Sequence, residues 1–102
     1  MACPHKLHEK AYEDYIYAYE WYESKKAGLG NRFMECVEKK IFQITEHPEF
    51  YSKKQNTRYR ETKIDNFPYT IVYEFFPRKN IIHIAAIHHE KRNTLHKYRR
   101  MK

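Results

Sequence analysis

Glycine is scarce, with two residues in 102, and the chain holds only two cysteines and four prolines. Both glycines fall in Ala27-Gly28-Leu29-Gly30, so this stretch is where they supply the left-handed backbone that closes a helix. Cys3 and Cys36 are too few for a disulfide framework, and a reduced cytoplasm is the expected setting. No apolar run approaches the roughly 18 residues of a membrane span. Met1–Lys6 lacks the continuous apolar stretch of a signal peptide. There is no repeat, low-complexity tract or linker, and residues 1–102 are read as one domain with one modest core.

Aromatic side chains and positive charge are what the chain does have. Ten tyrosines, six phenylalanines and one tryptophan predict an aromatic core whose hydroxyls need partners or a place at the surface. Net charge is +7, unevenly placed. Residues 1–52 carry seven Lys/Arg against nine Asp/Glu, a balance of −2, whereas residues 53–102 carry thirteen against four, a balance of +9. Such asymmetry points to a face for a polyanion or an acidic partner segment.

Apolar spacing predicts a helix over 9–26, with Ala11, Tyr15, Ala18 and Tyr22 on its buried stripe. A second helix is expected from a cap at Asn31 to about His47, burying Phe33, Val37, Ile41 and Ile44 before Pro48 stops it. The short turn between them makes an antiparallel αα-hairpin. Beyond Pro48 the period changes. Residues 57–65, 68–76 and 81–88 read as strands, the last two joined by the four-residue loop Pro77-Arg78-Lys79-Asn80. The near-continuous apolar run of the last strand predicts a central or two-sided position. The expected fold is α+β, a helical hairpin on one face of a small antiparallel sheet, followed by a basic tail over 93–102.

In that order, Glu20-Trp21-Tyr22-Glu23, Gly28-Leu29-Gly30 with Phe33, Ile44 through His47-Pro48, Arg60, Phe67-Pro68-Tyr69 with Ile71 and Tyr73, and His89-x-x-Arg92 resemble the RelE/ParE toxins of type II toxin–antitoxin systems, also called plasmid stabilisation proteins. The likeness spans about residues 9–99. Those proteins open with a strand before the first helix. Here only residues 1–8 are available for it, with Pro4 in the middle, so the strand is either missing or a short edge strand. An exposed edge would be open to a partner or a second copy.

The resemblance implies a cytoplasmic toxin held by a cognate antitoxin, with no cofactor or metal and no membrane. The expected activity is that of a ribosome-dependent mRNA endonuclease, the reading that His89 and the basic second half favour, with a ParE-like inhibitor of DNA gyrase or a decayed toxin retaining only antitoxin binding as the alternatives. Cleavage through the substrate's 2′-hydroxyl needs a base, an acid and cations for the phosphate. His89, at the end of the last strand, is the candidate base, with a hydrogen-bonded structural histidine as the alternative. His88 points to the other sheet face. Arg60 and Arg92 are candidate phosphate clamps, although Arg60 is equally suited to a carboxylate on the first helix. Arg58, expected on the same face as Arg60, is a candidate substrate-binding residue. Lys53, Lys54 and Arg99 are candidate RNA-backbone contacts, and Tyr98 a candidate stacking group or proton donor. Cys3, His5 and His8 have no complementary cluster to complete a metal site.

Overall fold

The computed structural model describes residues 4–53 and 57–90. The chain runs β1 (His5–Leu7), α1 (Glu9–Lys25), α2 (Leu29–Glu46), β2 (Arg60–Lys63), β3 (Tyr69–Phe76) and β4 (Ile81–His89). Ala11, Ala18 and Tyr22 face inward on α1, and Phe33, Val37, Ile41 and Ile44 on α2, the stripes that the apolar spacing marks. Tyr15 packs half-buried at the margin of this core. Burial first, and the Glu38 carboxylate next, push its hydroxyl pKa up to about 12.

The second helix starts three residues earlier than expected, with Gly28 rather than Asn31 at its N-cap, and its capping group is a different one. Gly28 takes the left-handed conformation at φ 89°. The Glu23 carboxylate closes the helix, accepting from the Gly28 N–H and the Gly30 N–H, both at 2.9 Å. Asn31 instead accepts from the Tyr19 hydroxyl at 3.0 Å. At Gly30 the need is for space, because a Cβ there would lie 2.8 Å from both Glu23 Oε1 and the Tyr19 carbonyl oxygen.

The sheet order is β1-β4-β3-β2, so the apolar last strand is central, as its composition implies. Strands β2, β3 and β4 are antiparallel neighbours, while β1 lies parallel to β4 and makes the sheet mixed. Both helices intervene between β1 and β4, so no tight turn constrains their relative direction. Pro4 cannot donate to a ladder, but its carbonyl accepts from the Ile82 N–H at 3.0 Å. The first strand is therefore present, three residues long, at the sheet edge.

Strand β4 carries one extra residue. Tyr73 lies opposite Ile84 and Val72 opposite Ala86, which leaves Ala85 as a bulge. The helices cover the face built from Tyr69, Ile71 and Tyr73 on β3 and from Ile82, Ile84 and Ile87 on β4. Past the bulge the alternation changes phase.

Candidate functional site

The face opposite the helices carries most of the sheet's polar chemistry. Thr70, Val72, Glu74 and Phe76 of β3 lie on it, paired with His88, Ala86, His83 and Ile81 of β4. β2 contributes Glu61 and Lys63, and β1 contributes Lys6 beside His83. Two ion pairs frame the face. Arg58 Nε is 3.0 Å from the Glu74 carboxylate, and Lys63 Nζ is 2.9 Å from that of Glu90. Each acid raises the pKa of its cation, through the hydrogen bond first and the charge second. Both cations are solvent-exposed, so the pairs orient side chains more than they stabilise the fold.

His83 is more enclosed. Burial holds its imidazole below the ordinary value, with His8 and Lys6 adding to the effect and Glu74 opposing it. The His8 and His83 rings lie 5.6 Å apart. His8 Nδ1 accepts from the Lys10 N–H at 3.1 Å, so that nitrogen caps α1. Cys3, the third member of the N-terminal group, lies outside the described residues.

Among the described residues, those singled out from the sequence do not converge. Arg60 turns to the helix side of the sheet, where its side chain is 15% exposed. Its Nη1 donates to the Tyr51 carbonyl at 2.7 Å and to the Glu49 carbonyl at 3.3 Å, in place of a carboxylate on α1. Tyr73 joins it by donating from its hydroxyl to the Pro48 carbonyl at 2.8 Å. Together they tie the segment after α2 to the sheet. Arg58 does not share this face, because its partner Glu74 alternates away from Tyr73. Lys53 bridges to Arg60 at the outer edge of β2, where Ser52 also accepts from the Glu61 N–H at 3.4 Å.

His89 also faces the helices. Its ring stands edge-on to Tyr69 at 5.2 Å, at the margin of an aromatic cluster. In that cluster Tyr22 meets Phe67 at 4.9 Å and Phe33 meets Tyr69 at 5.1 Å. The Trp-Tyr-Glu, Phe-Pro-Tyr and His89 motifs thus meet in space, and they meet as packing. Arg60 pairs with Tyr73 and His89 with Tyr69, on strands flanking β3. Strand geometry puts their Cα atoms about 17 Å apart. Lys54, Arg92, Tyr98 and Arg99 lie outside the described residues. Sequence reading passed over His83 and Lys6, and it set His88 aside. The two histidines were visible only as polar residues within a strand otherwise read as core, and Lys6 lies in the segment read as a missing or short edge strand.

The architecture of a helical hairpin on a four-stranded sheet is that of the type II toxins of RelE and ParE type. The family model for the ParE toxin of the type II toxin–antitoxin system parDE matches residues 6–94, and the chain belongs to that family. Among solved structures it is similar to the chromosomal ParDE toxin–antitoxin system from P. aeruginosa, at TM-score 0.74 and 12% identity over 86% of this chain and 96% of that one. It is also similar to the isolated E. coli RelE toxin, at TM-score 0.67 and 17% identity over 99% and 100%. A mutant of E. coli RelE in the free state gives 0.64 and 14%, each chain covered in full. No curated protein matches the sequence. Family membership makes the chain the toxin of a pair and implies a cognate antitoxin. No helix among the described residues is long and apolar enough to cross a membrane.

Proposed function

We propose that this toxin arrests its target by binding it, as an inhibitor of DNA gyrase, and that His89 and Arg60 do not form a ribonuclease centre. The separate engagement of those two side chains carries the reading. A base and a phosphate clamp must reach one reacting phosphodiester, at hydrogen-bond distances of roughly 3 Å. Here His89 rests on Tyr69 while Arg60, with its Cα about 17 Å from that of His89 by strand geometry, turns its guanidinium to the carbonyls of Tyr51 and Glu49. The match to the ParE family model supports the same side.

A specific observation favours a second reading. His88 lies on the face opposite the helices, across from Thr70, with Lys63 further along the same row. In that reading His88 is the base of an mRNA endonuclease. One paired assay separates the two. Purified toxin is added to gyrase with supercoiled plasmid, and separately to translating ribosomes with labelled mRNA. The proposal expects gyrase–DNA cleavage complexes to accumulate while mRNA stays intact. Cleaved mRNA that becomes intact with His88→Ala, in the absence of any effect on gyrase, overturns it.

A further inference from the structure

At the carboxyl end of α2 the chain exposes two phenyl rings, Phe42 at 60% and Phe50 at 77%. With Gln43, Glu46, His47 and Tyr51 they line a recess of about 470 Å³. Phe42 and Glu46 stand one turn apart on the same face of the helix. Phe50 is brought back toward them by a turn in which its N–H donates to the His47 carbonyl at 3.1 Å. The Phe50 and Tyr51 rings meet edge-on at 5.0 Å. This wall is fixed to the sheet, by the Tyr73 hydroxyl on the Pro48 carbonyl and by Arg60 on the Tyr51 carbonyl. The recess is negative as well as aromatic. Among the described residues neither lysine nor arginine lines it, and Glu46 forms no ion pair. No basic residue occupies the last turn of α2, so no side chain offsets the partial negative charge of its carbonyl end. Glu49, just beyond, reaches Arg60 only at 4.0 Å. One cation of the chain already sits on this aromatic group, since Lys40 Nζ is 5.8 Å from the Tyr51 ring centroid.

We propose that this recess binds an arginine side chain of a basic partner segment, with its guanidinium on the Phe42 and Phe50 rings and paired with the Glu46 carboxylate. A guanidinium is planar and weakly hydrated, so it lies flat on an aromatic face while its fork meets a carboxylate. A lysine ammonium, a compact and strongly hydrated charge, gains less from the same rings. A nucleic acid strand would bring its phosphates against Glu46 and Glu49. A purely apolar side chain would leave the carboxylate and the helix end without a partner. The segment is thus opposite in charge to the one that the +9 half of the chain attracts. A net charge of +7 repels basic peptides in general, so a preference for them has to come from a local site.

The test uses the full chain and a labelled, terminally blocked hexapeptide alternating arginine and serine, titrated by fluorescence anisotropy. Lysine–serine and glutamate–serine hexapeptides serve as comparators. The arginine peptide should bind best, with affinity about tenfold lower for Phe42→Leu combined with Phe50→Leu, which keeps apolar bulk and removes the ring faces. Glu46→Gln should cost roughly threefold. Affinity should be unchanged for Trp21→Leu, another exposed ring, near the α1–α2 turn. The arginine side-chain protons should shift upfield by NMR as they come over the rings. Both phenylalanines are exposed, so the double variant should fold, as circular dichroism will show, and Phe50→Leu alone replaces it otherwise. Equal binding by wild type and the leucine variant, or a lysine or glutamate peptide that binds as tightly, overturns the proposal. So does a dimer in sedimentation that the leucine variant abolishes, because the face then belongs to a second copy. The proposal rests on neither reading of the toxin's target, and no gyrase or ribosome enters the experiment, so its failure is distinct from that of the proposed function.

Discussion

Replacing Glu23 by alanine removes both hydrogen bonds that close the N-terminus of α2, those from the Gly28 and Gly30 N–H groups at 2.9 Å each. A hydrogen bond to a charged group contributes roughly 1.5–3 kcal/mol, but water can replace part of that where the donor is exposed. Gly28 is exposed and Gly30 is buried, so most of the cost falls on the second bond. A carboxylate at a helix N-terminus adds roughly 0.3–1 kcal/mol through the helix dipole. The expected net loss is about 2 kcal/mol. For a domain near 100 residues each kcal/mol lowers Tm by roughly 4–8 °C, so the midpoint should fall by about 8–16 °C. Urea titration followed by far-ultraviolet circular dichroism measures the loss directly, with an unchanged m-value showing that the unfolded reference has not moved. Glu23→Gln keeps one acceptor oxygen and turns an amide donor toward the other N–H, so about half the loss should return. An alanine variant within about 0.5 kcal/mol of wild type, or a glutamine variant less stable than alanine, would refute the assignment of Glu23 as the helix cap.

The two glycines should fail for different reasons. Gly30→Ala, whose Cβ would meet backbone and carboxylate at 2.8 Å, should cost roughly 1–3 kcal/mol by overpacking, and it should be partly rescued in a Glu23→Ala background. Gly28→Ala has open space around it and should cost only the roughly 1–2 kcal/mol of left-handed backbone, with no such rescue. Arg60→Ala leaves the Tyr51 carbonyl without its 2.7 Å donor and should destabilise by roughly 1–3 kcal/mol. Amide hydrogen exchange should then quicken at Glu61, whose N–H is held by Ser52. His83 gives stability a pH dependence of definite sign, since its folded pKa lies below the usual 6.5. The unfolded chain takes up the proton first, so the contribution is whole above pH 6.5 and declines as pH falls below it. His83→Gln should flatten that part of the stability profile in acid.

What the sequence made legible follows how far the determining contact reaches. The stripes of both helices were readable because positions three and four apart share a face whatever lies opposite. The central place of β4 was readable because a strand covered on both sides has little room for polar residues. The start of α2 was not, because its cap is supplied by a carboxylate seven residues before Gly30, across a turn that only the fold closes. The direction of β1 was likewise hidden, since its partner is more than seventy residues away.

The candidate site turns on a single residue that no periodicity announces. Ile82 and Ile84 bury themselves against the helices, and strict alternation from them would carry Ala86 and His88 to the helix side and expose His89 on the other. The bulge at Ala85 reverses that phase. Ile87 takes the buried position, His89 comes to rest on Tyr69, and His88 emerges on the face that already carries His83. Two histidines an odd number of residues apart share a sheet face only because of that insertion. A slip of one residue in a strand moves every later side chain to the opposite side, so the choice between His88 and His89 as a candidate base is a statement about Ala85. The motif His89-x-x-Arg92 keeps its spacing in the sequence, while the face it addresses is set three residues before His88, at the bulge.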